Sequence, residues 1–390
     1  MSEIKLSSNT IPNNHLEDLA EWIKTFPRLT KDKLTIEFEE KFAKFIKTQN
    51  CIFVNSGSSA NLLLAEANLH YKNLRNKKVG IPAVSWSTTL SPFIQLGYEP
   101  FLLDCDKNNL GIDIDSLYDL AKKEDISTLI LVHVLGHESS ILKVKDICEE
   151  FNIRLFEDSC EALGSKISEK NLGSFGLAST FSFYYGHHIS TIEGGMICTD
   201  SFEFSQIITS LRSHGWVRDL EKSFANNLQK QHAVNNFRNM YTFYYPGFNM
   251  RATEINAFLG IKQLDLLEKY CKKREFLFHI YKNNLKNFWS QESETDFLSS
   301  FAYGTLVENP EEVWNFLKKF NIESRPLICG SMGLQPFWTI QNKKQSNFKI
   351  ADQIHYKGIY LPINADLNEE DILFVCEKFK EVAKVYKQEL

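Results

Sequence analysis

Three short segments carry residue types that do chemistry. The first is Asn55-Ser56-Gly57-Ser58-Ser59-Ala60-Asn61, where small residues lead from an apolar run into a helical pattern. Backbone N–H groups exposed at such a helix start make a phosphate cradle, although a plain tight turn uses the same residues. The second is Glu157-Asp158, at the end of another apolar run. A carboxylate there can face a ligand ring, and beside a pyridine nitrogen it keeps that nitrogen protonated and the ring an electron sink. Taken alone, the same Asp reads better as the cap of a following helix. The third is Ser182-Phe-Tyr-Tyr-Gly-His187-His188-Ile-Ser-Thr-Ile-Glu193-Gly194-Gly195. Adjacent side chains point different ways on a strand or a helix, and no Cys or carboxylate stands at ligand spacing beside the pair. A shared metal is therefore not expected. An imidazole, with pKa ~6.5, moves protons at neutral pH; two histidines on a surface loop would not.

These segments need a frame that brings strand ends together. Candidate strands are 52–55, 78–82, 100–103, 128–134, 154–157, 180–184 and 196–199, with helical patterns between them, among them 60–69, 142–151 and 202–212. The alternation predicts an α/β fold whose mostly parallel sheet is covered on both faces. Ligands on such a sheet bind beyond the strand carboxyl ends, where all three segments fall. The polar stretch 221–241 is expected to run over the surface. After Tyr245-Pro246-Gly247 breaks the chain, a helical pattern runs from 253 to about 284. A strand-like run at 301–307, a helix at 311–320 and a last helix at 369–388 follow. Two domains are expected: 1–245, a large α/β unit including an N-terminal helical arm, and 246–390, a smaller α+β unit.

The chain has 390 residues, 43% of them hydrophobic, with a net charge of -5. An acidic balance argues against nucleic-acid binding, which needs a basic face for phosphates. The polar residues 1–14 do not read as a signal peptide. The most apolar stretch, 129–135, is too short to span a bilayer. Eight scattered cysteines read as reduced, mostly buried thiols, and a cytoplasmic setting is expected.

In this order, the small-residue loop, the Glu-Asp pair and the Ser-Phe…Glu-Gly-Gly segment resemble the DegT/DnrJ/EryC/StrS sugar aminotransferase family of fold type I pyridoxal phosphate (PLP) enzymes. Further matches are Pro82-Ala-Val-Ser-Trp86-Ser-Thr-Thr, Arg212-Ser-His214-Gly215, Gly247-Phe-Asn249-Met-Arg251-Ala-Thr-Glu254 and Gly260-Ile-Lys-Gln263-Leu264. The resemblance covers nearly the whole chain. It implies an aspartate aminotransferase-like fold, with a large mixed-sheet α/β domain and a smaller C-terminal α+β domain.

One departure decides the chemistry. The family pattern is Ser-Phe-x-x-x-Lys, whose lysine forms a Schiff base with the cofactor. Here that position holds His187, and no Lys occurs between Lys170 and Lys222. A histidine cannot form an imine, so PLP, and pyridoxamine phosphate (PMP) once glutamate has given its amino group, are expected to bind non-covalently. Lysine-to-histidine is the change a dehydratase needs. The segment is similar to that of the family's 3-dehydratases, which act on a GDP-linked 4-keto-6-deoxy sugar. Ala83-Val-Ser-Trp86-Ser-Thr-Thr and His214-Gly-Trp216-x-Arg218 share that similarity.

Residue roles follow from the resemblance. His187 is expected as the acid–base group, Asp158 at the pyridinium nitrogen, Glu161 at the ring hydroxyl, and Trp86 stacked on the ring. Gly57, Ser58 and Ser182 would hold the phosphate, joined by Asn249 from the second subunit of a homodimer with shared active sites. His214 and Arg218 are expected at the sugar and its diphosphate, and Arg251 and Arg325 at the donor's carboxylate or the nucleotide. His188 is expected to pack or to orient its neighbour. An iron–sulfur cluster is not expected, because Cys271, Cys329 and Cys376 include no Cys-x-Cys pair. The alternatives are an aminotransferase using another lysine, and an inactive homologue that only binds a sugar nucleotide.

Overall fold

The structure is a computed structural model that describes residues 3–342 and 346–387. Its large sheet is built from β1 (Asn50–Val54), β2 (Lys78–Pro82), β3 (Glu99–Leu103), β4 (Thr128–Val132) and β5 (Arg154–Asp158). After a two-strand hairpin (β6, Lys166–Ile167; β7, Lys170–Asn171), the chain returns as β8 (Ala178–Ser182) and β9 (Gly195–Thr199). The order is β1-β9-β8-β5-β4-β2-β3. Only β9 pairs antiparallel, with both β1 and β8, so the sheet is mixed rather than wholly parallel.

Both faces are covered, and the strands show it by alternation. Ile52 and Val54 pack with Leu63, Leu64 and Ile207 of the helices Gly57–His70 and Phe202–Arg212. Cys51 and Phe53 turn to the opposite face, against Phe38 and Phe42 of the helix Lys33–Ile46. A smaller antiparallel sheet, β10 (Trp289–Ser290), β11 (Tyr303–Leu306), β12 (Arg325–Pro326) and β13 (Gly358–Leu361), has its own core with the helices Pro310–Lys318 and Glu369–Val382. The helix Glu254–Asn284 joins the two: Ala257 and Leu267 pack in the Phe38 core, Leu277 and Tyr281 in the smaller one.

Three expectations need correcting. The last helix ends at Val382, not 388, because the chain turns extended to bridge Val385 to Val307 and to give the Lys384 carbonyl to the Glu308 N–H; residue 388 lies outside the described residues. β8 ends at Ser182, two residues before the apolar pattern does, because Phe183 and Tyr184 belong to the loop that carries the histidines. β4 ends at Val132, where a short turn begins. The segment 221–241 does lie on the surface, but it carries a helix at Lys222–Gln231 and a shorter one at Asn236–Asn239.

Candidate active site

The carboxyl ends of β1, β4, β5 and β8 meet around a cavity of about 200 Å³. At β1 the Ser56 hydroxyl accepts the Ser59 N–H at 3.0 Å and caps the helix Gly57–His70, aiming its first turn at the cavity. Gly57 is required here: a Cβ would sit 2.6 Å from the Ser182 Cβ, so any side chain would push the two loops apart. The Ser58 hydroxyl donates to Thr88 at 3.0 Å, linking this turn to the helix that starts beside Trp86.

At the end of β5, neighbouring carboxylates face opposite sides of the sheet. Asp158 faces the cavity. Its Oδ2 accepts from Asn61 Nδ2 (2.9 Å) and Thr89 Oγ1 (2.7 Å), while the Thr180 hydroxyl, donating to Asn61 Oδ1 at 2.6 Å, fixes the amide's orientation. No helix follows directly, so Asp158 is not a helix cap. Glu157 points the other way and is fully buried. It accepts from His133 Nε2 (3.0 Å) and from the N–H groups of Gly173 (2.9 Å), Phe175 (2.7 Å) and Gly176 (2.7 Å). Burial alone would raise its pKa, but the His133 hydrogen bond and charge, with the N–H groups, hold it below the usual value.

Glu161 lines the same cavity and accepts the Leu135 N–H at 2.9 Å. Burial pushes its carboxyl up to about 7, against the Leu135 hydrogen bond, with the Asp158 charge adding to the rise. Leu135 holds a left-handed backbone (φ 54°), and its carbonyl accepts the Phe301 N–H at 3.0 Å. A strained non-glycine residue is kept in place by its surroundings; here these are one carboxylate, Glu161, and one backbone partner, Phe301, both of which line the cavity.

The two histidines part ways as their adjacency requires. His187 lines the cavity, its Nδ1 lies 2.8 Å from the Cys160 carbonyl, and its ring lies 5.3 Å from that of Phe301. A carbonyl only accepts, so Nδ1 carries the proton and Nε2 keeps a free lone pair. Burial, then the nearby Arg274 charge, lower its pKa to about 4, against the Cys160 hydrogen bond. The ring is thus neutral and proton-accepting at neutral pH. His188 turns inward, fully buried, with Nε2 2.9 Å from the Ser299 carbonyl. It packs and holds the loop.

Eight of the twelve residues singled out in the sequence meet at this cavity: Gly57, Ser58, Trp86, Asp158, Glu161, Ser182, His187 and Arg325. Trp86 is 55% exposed at its rim, an uncovered aromatic face. The other four lie elsewhere in the chain. Asn249, Arg251 and Arg218 line a second cavity of about 450 Å³ with Arg28, Lys31 and Trp216. Arg251 Nε donates to Asn249 Oδ1 at 3.1 Å, its Nη2 lies 3.3 Å from His214 Nε2, and Arg218 sits 5.2 Å over the Trp216 ring. The turn beside them is tight: Gly215 (φ 77°) lies against the Tyr245 carbonyl where a Cβ would be.

Asn61, Thr89, Tyr184, Phe301 and Tyr360 also serve this cavity and were not singled out. Asn61 and Thr89 stood inside quoted motifs and had a readable signal, a polar side chain one helical turn beyond a loop. Phe301 and Tyr360 come from the smaller sheet and its approach, and had none. All eight cysteines are free thiols, six of them buried. Among the described residues no three His, Cys, Asp or Glu side chains are grouped to hold a metal, and no helix is long and apolar enough to cross a membrane.

The model of the DegT/DnrJ/EryC1/StrS aminotransferase family matches residues 11–380. GDP-4-keto-6-deoxy-D-mannose 3-dehydratase of Escherichia coli O55:H7 is 33% identical over 305 residues, 76% of this chain and 78% of that protein. The crystal structure of a histidine-to-asparagine variant of GDP-4-keto-6-deoxymannose-3-dehydratase, with GDP-perosamine bound, superposes with a TM-score of 0.88 at 27% identity, covering 97% of this chain and 100% of that one. A second structure of that enzyme, with a trapped PLP-glutamate geminal diamine, superposes at 0.87 with 26% identity over 96% and 100% of the two chains.

Proposed function

The chain belongs to the DegT/DnrJ/EryC1/StrS aminotransferase family, and within it we propose a PLP/PMP-dependent lyase that removes the carbon-3 hydroxyl of a GDP-linked 4-keto-6-deoxy sugar, a hexose or a heptose, with glutamate as amino donor. The observation that carries the reading is His187 at the position of the family's lysine, with Nδ1–H held by a backbone carbonyl and Nε2 open to the cavity. Among the described residues no lysine lines that cavity, which disfavours the aminotransferase alternative.

The residues present fit the cofactor. The Gly57 turn leaves no room for a side chain but presents a helix start, Asp158 is an oriented carboxylate, and Trp86 offers a bare aromatic face. Once bound, the cofactor supplies the carbonyl or amine that exchanges with glutamate and a ring that takes up electrons. Gly57, Ser58 and Ser182 would hold its phosphate, Asp158 its ring nitrogen and Glu161 its hydroxyl. His187 Nε2 takes up a proton in the cavity and, as a strongly acidic imidazolium, gives it to the departing carbon-3 hydroxyl, which leaves as water. In this reading the protein is a homodimer: Asn249 reaches the phosphate across the interface, His214 and Arg218 approach the sugar and its diphosphate, and Arg251 and Arg325 serve carboxylate or nucleotide.

Purified protein given PLP, glutamate and GDP-4-keto-6-deoxymannose should release 2-oxoglutarate and ammonia and leave a nucleotide sugar one oxygen lighter by mass. 2-Oxoglutarate with intact sugar would redirect the search to other 4-keto sugars. A product carrying a new amino group would sink the dehydratase reading in favour of an aminotransferase, and no turnover with any 4-keto sugar would favour an inactive binding homologue. Gly57→Ala should weaken PLP binding about tenfold, about 1.4 kcal/mol, because its Cβ would displace Ser182; a fluorescence titration of PLP reads this, and unchanged affinity would remove Gly57 from the phosphate cradle.

A further inference from the structure

Arg274, on the helix Glu254–Asn284, is 2% exposed. Arg212, equally buried, pairs with Glu39 at 2.6 Å, whereas Arg274 has no carboxylate partner among the described residues. Its Nη1 instead donates to the carbonyls of Ser300 (3.2 Å), Phe301 (3.1 Å) and Ile363 (2.8 Å), and its Nε–H is buried without an acceptor. A buried charge with no counter-charge is costly, and here only main-chain carbonyls offset that cost. The segment it grips is the one on which both imidazoles rest. The Ser299 carbonyl meets His188 Nε2, and the Phe301 ring lies 5.3 Å from that of His187 and 6.2 Å from that of His188. The Phe301 N–H continues the chain of contacts to Leu135 and so to Glu161.

We propose that Arg274 is a positioning residue for the His187 base: gripping the carbonyls of Ser300, Phe301 and Ile363, it fixes the Phe301 ring against the imidazole and adds an unbalanced buried positive charge that, together with burial, disfavours the imidazolium. The groups facing His187 are Asp158, Cys160 and Glu161 after β5, Tyr184 and His188 of its own loop, Arg325 and Tyr360 of the smaller sheet, and Arg274. Asp158 favours the imidazolium, and Arg274 opposes it. Arg325 is exposed to solvent, so its field is screened; that of Arg274 is not.

The inference rests on His187 as the acid–base group, but its first readout needs no turnover. The His187 imidazole resonance, assigned by its loss in His187→Asn, is titrated in the full chain without added cofactor. In the wild type it should stay neutral to below pH ~5. Arg274→Gln, which keeps an amide donor and loses the charge, should move the titration up by about one unit, a tenfold gain in proton affinity. Arg274→Lys, which keeps the charge, should leave it in place, and the acid limb of the glutamate half-reaction in the loaded enzyme should follow the same pattern. An unmoved titration in Arg274→Gln, or equal shifts in Gln and Lys, overturns the proposal. If Arg274→Gln does not fold, Arg274→Lys and Phe301→Leu still decide. A shifted titration in the first, or an unchanged half-reaction rate in the second, overturns it. A shift seen without any sugar turnover would leave this inference standing and sink the dehydratase reading; turnover with no shift would do the reverse.

Discussion

His187→Asn should lower dehydration about a thousandfold, within the range of about 10² to 10⁴ that a positioned acid–base group contributes. The effect is expected to fall on chemistry and not on binding. An asparagine amide can still donate to the Cys160 carbonyl that now accepts from Nδ1, so the loop keeps its anchor and only the titrating lone pair is lost. PLP affinity should therefore stay near that of the wild type in a fluorescence titration. His187→Lys should lose dehydration as well, by another route: its amine would capture the aldehyde covalently and compete with the donor. Retention of more than a tenth of the activity in His187→Asn would mean that another group carries the proton, with Glu161, near about 7, the first to test.

Glu157→Ala should cost about 3–5 kcal/mol of stability, because a buried hydrogen-bonding group left without its partner costs about 1–3 kcal/mol and several are affected. The carboxylate satisfies three N–H groups of the 173–176 turn and His133 at once, and alanine leaves all four without that partner, His133 and the Gly173 N–H fully buried. Glu157→Gln keeps an acceptor for part of the turn and should cost less. Urea unfolding of the three proteins reads the order directly; an Ala variant within about 1 kcal/mol of wild type would refute the account. The pH sign follows from the lowered pKa. The folded state binds its proton more weakly than the unfolded chain, so this contribution is full above the ordinary carboxylate value and fades as pH falls through the lower, folded value. Acid sensitivity should therefore shrink in Glu157→Gln.

Both residues were visible in the sequence, but not equally well understood. Glu157 and Asp158 read as one pair at a strand end, yet the pleat sends them to opposite faces, one to the fold and one to the site. Helix starts and strand cores were legible because Ser56, Gly57 and the apolar runs act locally. Element ends were not: Phe183 and Tyr184 continue the strand pattern of β8 in composition, but the chain leaves the sheet after Ser182. The last helix stops where a bridge between Val385 and Val307 captures the backbone, a contact between residues far apart in sequence. Phe301, Tyr360 and Arg274 reach the site by tertiary packing alone, so no local signal marked them. The gathering of Asn249, Arg218 and Arg251 at a second cavity, with His214 beside Arg251, was equally hidden, since each stood in a motif whose spacing says nothing of which cavity it faces.

The partner that fixes the tautomer of His187 is a main-chain carbonyl, that of Cys160, rather than a side chain. Such a constraint has no allele. Substituting residue 160 changes a thiol and leaves the carbonyl where the backbone puts it, so drift at that position cannot scramble which nitrogen holds the proton. A histidine placed at position 187 therefore has its orientation supplied by the main chain of the 160 turn, with no second side chain required to set it.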